Sequence, residues 1–335
     1  MEDFAAVSGI SRPTVSKYFN DPGSVRKSTR ERIEAALERY DFRPNIYAVN
    51  QNRRLTKNVG VVVPYLADPF FAEIARNIER LVIEAGYRPI LLSSHGNPAQ
   101  EIDNLDSLRQ IKPAGVLIAP LGRSSDKSAV AAFCKDAPTV HFDSNIEGLG
   151  EAFIGHNNTQ ATELIVEYLC RTGEPPVFFE MRLPPNPNAI KRRNTYVATM
   201  NRLGHDPHLI QVPGDGWEFE EIGFREGTRV IATHSLPSNT ILCSNDRLAI
   251  GLLSAAYEAG LRVGLGAGCA LRVAGHDDHP FARYTSPTLT TVAQDYGRIA
   301  RKSVETLLKL IDSDAPPTRR ETTLFDGTLI MRGSA

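Results

Sequence analysis

The sequence has few of the features that mark membrane, secreted or disulfide-stabilised proteins. No apolar run among its 335 residues approaches the roughly 20 residues that a membrane span needs. The N-terminus opens directly into a predicted helix instead of a signal peptide, so we expect a cytoplasmic protein. The four cysteines show no C-x-x-C spacing and lie in or near apolar stretches, which predicts reduced core residues: Cys134, Cys170, Cys243 and Cys269.

Sequence motifs of common enzymes are also missing. There is no H-E-x-x-H, no G-x-S-x-G and no P-loop. The glycines at 264–268 superficially resemble a nucleotide-binding loop, but they follow a helix and precede a strand, so they predict a flexible turn. His276 and His279 are spaced like metal ligands, although such a pair on a loop has low specificity. We therefore expect no catalytic residues, no metal and no cofactor.

Residues 5–20 are the most informative segment, because they place a short helix, a glycine turn and a second helix close together. Gly9 suits the turn, Ser11 can cap the next helix and Pro13 is tolerated only in a first turn. The second helix is therefore predicted to begin at about Arg12, completing a DNA-reading helix-turn-helix. Apolar residues at helical spacing predict its small core with a third helix: Ile10, Val15, Phe19, Ile33, Ala36, Leu37 and Tyr40.

Positive charge is concentrated in the same region. Residues 1–57 contain eleven Lys or Arg and seven Asp or Glu, a net charge of +4, whereas the whole chain is −1. The alternative is a helical cap with no partner, but segregated charge favours a nucleic-acid-binding head.

From residue 58 the pattern changes to strands alternating with helices. Strands are predicted at 59–64, 89–92, 115–119 and 139–142, and a second series at 177–180, 209–212, 240–243 and 271–274. This alternation predicts an α/β body of two doubly wound parallel sheets, forming two lobes behind a small all-α head. Ligands of such sheets bind beyond the carboxyl ends of the strands.

The loops at those ends carry polar and aromatic candidates for ligand binding. Trp217 is the only tryptophan, and a flat ring beside carboxylates and guanidinium groups suits a sugar, although packing is the alternative. Asp246 directly precedes a predicted helix, so capping of that helix is at least as good an interpretation as contact with a ligand. The candidates are Asp68, Phe70, Arg123, Asp143, Arg193, Trp217, Asp246 and Asp277.

Several motifs resemble the lactose-repressor family of bacterial transcription regulators. In the head and first strand they are VSGISRPTVSKYFN (7–20), TRERIEAA (29–36), RPN (43–45) and VGVVV (59–63). In the body they are DPFF (68–71), ND (245–246), GHDD (275–278) and PTLTTV (287–292). The resemblance implies a hinge helix and a body like a type I periplasmic binding protein, with three crossings between lobes near Asn157, Ala293 and Arg319.

These expectations divide the chain into four parts. Residues 1–45 are the DNA-binding head and residues 46–57 the hinge helix and linker. The first effector-binding lobe is 58–157 and 293–318, and the second is 158–292 and 319–335.

The resemblance also assigns DNA contacts. Arg12, Pro13 and Lys17 occupy base-reading positions, and Thr14, Ser16 and Asn20 occupy phosphate-holding ones. The hinge position where the family has a minor-groove leucine is Gln51, so we expect weaker kinking of the DNA. The basic residues around it are expected to contact phosphates: Arg53, Arg54 and Lys57.

Together these observations predict a DNA-binding transcription regulator, expected to be a repressor, in the cytoplasm at the bacterial nucleoid. It would bind palindromic double-stranded operator DNA as a homodimer, since no heptad tail is present to join dimers. Its effector would be a small sugar or sugar derivative between the lobes, with Arg193 and Asp277 as opposed partners for hydroxyls. A transport receptor would share the body but lack the basic head, and a sugar-modifying enzyme would need a nucleophile or acid–base pair.

Substitutions at Arg12 and Lys57 should differ in kind. Arg12→Ala is expected to cost roughly 1–3 kcal/mol of operator binding and relax the preference at one base, because Arg12 is predicted to read guanine. Lys57→Ala should weaken binding to all sequences alike. Fluorescence anisotropy titrations measure the loss of affinity of each variant on an operator selected from random duplexes and on a scrambled duplex. Equal losses for both variants on both duplexes would show that Arg12 does not read a base.

Overall fold

The computed structural model describes residues 2–20, 22–40, 56–233, 236–313 and 319–335. It divides into two units, Met1–Thr56 and Lys57–Ala335. The predicted hinge helix, with Gln51, Arg53 and Arg54, lies outside the described residues, as does the side chain of Asn20.

The first unit is a three-helix head, with α1 (Glu2–Ser8), α2 (Arg12–Asn20) and α3 (Lys27–Arg39). Gly9 turns the chain with φ +64°, and the Val15 amide donates to the Ser11 carbonyl at 3.0 Å, so α2 begins where predicted. Val15 and Ile33 are fully buried together with Phe4, whose role the sequence pattern had not indicated. Tyr40 is 44% exposed, so its predicted place in this core is wrong.

The second unit contains two parallel sheets. The first has the order β11-β5-β4-β3-β1-β2. Its strands are β1 (Asn58–Val63), β2 (Arg88–Ser93), β3 (Gly115–Ile118), β4 (Thr139–Phe142), β5 (Ala152–His156) and β11 (Glu321–Phe325). The accompanying helices are α4 (Pro69–Glu84), α5 (Pro98–Ile111), α6 (Lys127–Phe133) and α11 (Tyr296–Ile311).

The second sheet has the order β7-β6-β8-β9. Its strands are β6 (Val177–Met181), β7 (Leu209–Val212), β8 (Thr240–Cys243) and β9 (Arg272–Ala274). Its helices are α7 (Asn158–Thr172), α8 (Pro187–Arg202), α9 (Phe219–Ala232) and α10 (Asp246–Glu258). An antiparallel pair, β10 (Thr291–Ala293) and β12 (Thr328–Ile330), lies next to this sheet through a bridge from Ala274 to Thr290. The predicted α/β class with two doubly wound sheets is confirmed.

One predicted crossing is misplaced. The expected crossing near Arg319 would put the following residues in the second lobe, but β11 pairs in parallel with β5, with Thr323 opposite Ile154. The chain therefore returns to the second lobe, at the β10–β12 pair beside the second sheet, only after Phe325, through residues 326–327. Because β11 is an edge strand with mostly exposed residues, it lacks the apolar run that revealed the other strands.

The apolar core is continuous between the two sheets. One buried cluster runs from strands of the first sheet through Phe71, Trp217 and Phe219 to strands of the second. Cys243 is fully buried, the other three cysteines are half-buried, and all four are free. None of the helices in the described part of the chain has the length and apolar character needed to cross a bilayer.

Candidate functional site

A small cavity lies between the two lobes at the carboxyl ends of their strands. Its volume is about 30 Å³, room for little more than one water molecule. The first lobe lines it with Asp68, Phe70, Phe71 and Asp143, and the second lobe includes Asn186, Arg192, Phe219, Arg247 and Asp277. The lobes are therefore closed on each other.

Arg192 organises the second-lobe wall. It is 4% exposed, and its three guanidinium nitrogens each donate one hydrogen bond. Nε donates to Asn158 Oδ1 at 2.8 Å, Nη1 to the Ser244 carbonyl at 2.7 Å and Nη2 to Asp277 Oδ1 at 2.6 Å. Gln294 Nε2 donates to the same Asp277 oxygen at 2.7 Å. This network fixes the Asp277 carboxylate at the cavity.

Arg247 connects the lobes. Its Nη1 donates to Asp68 Oδ2 of the first lobe at 2.9 Å, and its Nη2 donates to Glu220 Oε2 of the second lobe at 2.6 Å. Asp68 also caps α4 by accepting from the Phe70 amide at 2.9 Å. Burial raises the pKa of Asp68, while Arg247 opposes that shift. One carboxylate thus serves a helix end and an interlobe ion pair.

Asp143, like Asp277 with φ +113°, has a backbone conformation that side-chain-bearing residues rarely adopt. It has φ +58°, a conformation that costs a non-glycine residue about 1 kcal/mol or more, and it is 2% exposed. Asn188 Nδ2 donates to its Oδ1 at 3.1 Å, but Oδ2 has no hydrogen-bond partner among the described residues. Burial raises the pKa of Asp143 to about 7, and Arg192 opposes the rise. The cavity therefore holds a carboxyl group that is partly protonated at neutral pH.

Four of the eight predicted effector contacts line this cavity: Asp68, Phe70, Asp143 and Asp277. Arg123 is exposed and does not line it. Asp246 is fully buried and accepts from the Thr291 hydroxyl at 2.7 Å and the His279 amide at 2.8 Å, so it supports the loop behind the cavity. Asn245, not Asp246, caps α10.

The predicted Arg193 is one position away from the arginine that faces the cavity. Successive helical residues are turned by about 100°, so Arg193 points elsewhere, toward Glu180 Oε1 at 3.4 Å. Arg192 could have been found from the sequence, because it falls at i+3 from Ala189 and i−4 from Tyr196 on the buried face of α8.

Trp217 packs between the lobes instead of lining the cavity. It is 4% exposed, and the Tyr65 ring stacks on it with centroids 5.8 Å apart and planes at 12°. Phe71 and Phe219 contact it edge-on at 5.9 and 5.7 Å. Trp217 is therefore a packing residue in this structure, as the alternative predicted, and it does not face the cavity as the favoured sugar-stacking role required.

The predicted DNA contacts lie on α2 as expected. Arg12, Pro13 and Lys17 are exposed, whereas Thr14 and Ser16 are half-buried. Lys57 is exposed at the start of the second unit. The DNA-binding roles of these side chains stay predictions.

Comparison with known proteins identifies relatives of both units. Residues 1–45 match the model of the lacI family of bacterial regulatory proteins, and residues 166–335 match a periplasmic binding protein-like domain. The ribose operon repressor of Escherichia coli K12 is 26% identical over 100% of this chain and 99% of its own. The transcriptional repressor PurR of Histophilus somni is 26% identical over 93% of this chain and 92% of its own.

Solved structures give the same result for the fold. The lac repressor dimer bound to operator and the anti-inducer ONPF has a TM-score of 0.83 at 25% identity, covering 99% of this chain and 97% of that one. A LacI-family regulator from Enterococcus faecium with bound ribose has a TM-score of 0.70 at 20% identity, covering 83% and 98%.

Asp143→Asn should stabilise the protein in a pH-dependent way. Because the folded-state pKa is raised to about 7, folding favours the protonated carboxyl, and stability is lost as pH rises from about 4 through 7. The amide carries no charge, so the free energy of unfolding of the variant at pH 8 should exceed that of the wild type by at most about 4 kcal/mol. Urea unfolding at pH 5, 6.5 and 8 measures this. Asp206→Asn, at an exposed site, is the control, and a pH-independent difference for Asp143→Asn would contradict the assignment.

Proposed function

Because this chain belongs to the lacI family of bacterial regulatory proteins, we propose that a small uncharged carbohydrate bound between its lobes controls its affinity for operator DNA. The protein is a DNA-binding transcription regulator and not an enzyme. Regulation of transcription places it in the cytoplasm with the chromosome, and we extend this to association with the nucleoid.

The chemistry of the cavity supports an uncharged polyol. Its carboxylates accept hydrogen bonds from hydroxyl groups, and its two arginines donate to hydroxyl oxygens: Asp68, Asp143, Asp277, Arg192 and Arg247. Phe70 and Phe219 provide apolar surface for the C–H face of a sugar ring. A sugar acid would bring a further negative charge to a cavity in which three carboxyl groups face two arginines, which favours the uncharged compound.

The closed geometry supports control by lobe movement. Sites for small molecules enclose roughly 300 Å³ or more, so a cavity of about 30 Å³ must enlarge to admit a sugar. The bridge from Asp68 through Arg247 to Glu220 has to rearrange as the lobes separate. An effector that prefers one lobe arrangement shifts operator affinity by its differential affinity for the two arrangements.

Two heads are needed to read a palindrome, and the second lobe offers an apolar surface for pairing. Large side chains there are exposed in the single chain: Phe224 at 41%, Tyr257 at 79%, Phe281 at 59% and Tyr284 at 77%. Tyr257 follows Ile250 and Ser254 on the outer face of α10 at helical spacing. We assign this surface to a homodimer.

The effector assignment is tested by a thermal-shift screen with a matched pair of arginine variants. D-ribose, glucose and cellobiose are compared with gluconate and the purine hypoxanthine. An uncharged sugar should stabilise the wild type by about 2.7 kcal/mol at one hundred times its Kd. Arg193→Gln should keep this response and Arg192→Gln should lose it, although each removes the ion-pair partner of one carboxylate.

A response only to the sugar acid or to the purine would overturn the proposed ligand class. An equal response in both arginine variants would place the site outside the cavity. Repeating the titration with operator DNA then shows whether the ligand that binds raises or lowers DNA affinity.

Tyr257→Glu should convert dimers to monomers and reduce operator affinity, because it buries a charge in the proposed interface. Leu183→Glu is the control, since Leu183 is 77% exposed in the same lobe. Multi-angle light scattering at operator-binding concentrations measures the mass. A monomeric or stably tetrameric wild type would contradict the dimer.

A further inference from the structure

The lobes meet at a second place, beside the cavity and separate from its lining. Tyr65 follows β1 in the first lobe, and Trp217 precedes α9 in the second. Their rings stack at 5.8 Å, and the Tyr65 hydroxyl donates to Glu218 Oε1 at 3.2 Å. This contact joins the lobes by an aromatic face and one hydrogen bond.

The first lobe is shaped to receive the indole ring. Gly96 has φ +69°, and a Cβ at that position would lie 2.4 Å from Trp217 Nε1. Only glycine suits both this conformation and this close approach. Although the indole N–H is buried, it has no hydrogen-bond partner among the described residues. Trp217 is therefore held against the first lobe by packing and not by polar bonding.

Apolar packing is well suited to keeping the lobes together. Ion pairs such as Asp68 with Arg247 exchange strong hydration for a protein partner, so their net contribution to closure is small. Burial of the aromatic carbons carries no such desolvation cost, and only the unpaired indole N–H of Trp217 offsets part of the gain. Trp217 also contacts Phe71 and Phe219, which line the effector cavity, so its position is linked to the cavity wall.

We propose that Tyr65, Trp217 and Glu218 form an interlobe latch, with Gly96 as its seat, which holds the two lobes closed. The effector enters only those molecules whose latch is open. Its apparent Kd is therefore its intrinsic Kd divided by the fraction of molecules with an open latch. This consequence for effector entry rests on the proposed effector site, whereas the latch itself does not.

The latch can be tested on the full chain without any effector, because Trp217 is the only tryptophan and reports on its own surroundings. Gly96→Ala places a methyl group against the indole, whereas Gly86→Ala introduces the same backbone strain at φ +79° with no atom within 4 Å. Acrylamide quenching and the emission maximum measure exposure of Trp217. Small-angle scattering measures the radius of gyration.

The expected result is a shielded Trp217 in the wild type and in Gly86→Ala. In Gly96→Ala, quenching should rise severalfold, the emission should shift to the red and the radius of gyration should increase. Tyr65→Ala should increase the radius of gyration in the same way, and it replaces Gly96→Ala as the test variant if Gly96→Ala does not fold. Tyr65→Phe keeps the ring stack on Trp217 but loses the hydrogen bond to Glu218. Its radius of gyration should therefore increase less than that of Tyr65→Ala.

Three results would overturn the latch. The first is a wild-type Trp217 quenched as readily as N-acetyltryptophanamide. The second is equal behaviour of Gly96→Ala and Gly86→Ala. The third is an increase in quenching with an unchanged radius of gyration in both Gly96→Ala and Tyr65→Ala. None of these depends on the sugar screen, so failure of the latch and failure of the proposed effector are distinguished.

Discussion

Burial of carboxylates between two lobes is the constraint on which the body of this protein depends. Asp68, Asp143 and Asp277 lie where parallel strands end, and each loses much of its hydration when the lobes close. An unpaired buried charge costs several kcal/mol, so each requires compensation. Asp68 and Asp277 receive arginine partners, Arg247 and Arg192, and the former pair spans the two lobes. Asp143 receives only an amide donor, and its pKa rises accordingly.

The same compensation links the cavity to the crossing segments. Asn158, just after the first crossing, accepts from Arg192, and Gln294, just after the second, donates to Asp277. Rearrangement of the Arg192–Asp277 pair by a ligand must therefore break or move bonds made by the segments that cross between the lobes. These bonds give a route by which a local change of hydrogen bonding would alter lobe geometry, as the proposed coupling to DNA affinity requires.

The sequence predicts the regular elements better than the site. Strands such as β4 and β8 were predicted with their observed bounds, because a buried parallel strand is a short apolar run between turn signals. The edge strand β11 lacks that signal. In the site, the sequence correctly placed Asp68 and Asp143 at the cavity, because both follow predicted strands. It placed Arg193 there instead of Arg192, because a motif does not show which of two neighbouring helical residues faces the cavity. The place of Trp217 depends on Tyr65, 152 positions earlier, and no local pattern contains that contact.

The interlobe contacts thus fall into two classes with opposite responses to a polyol. Hydroxyl groups can replace the partners of Asp68, Arg247 and Asp277, so a bound sugar competes directly with the polar contacts that span the cavity. They offer nothing to the stacked rings of Tyr65 and Trp217, whose association depends on excluding water. A ligand therefore competes directly with the first class of contact and not with the second. In the proposed latch, the apolar contact favours the closed lobes, and a ligand shifts this balance by its differential affinity for the closed and open arrangements.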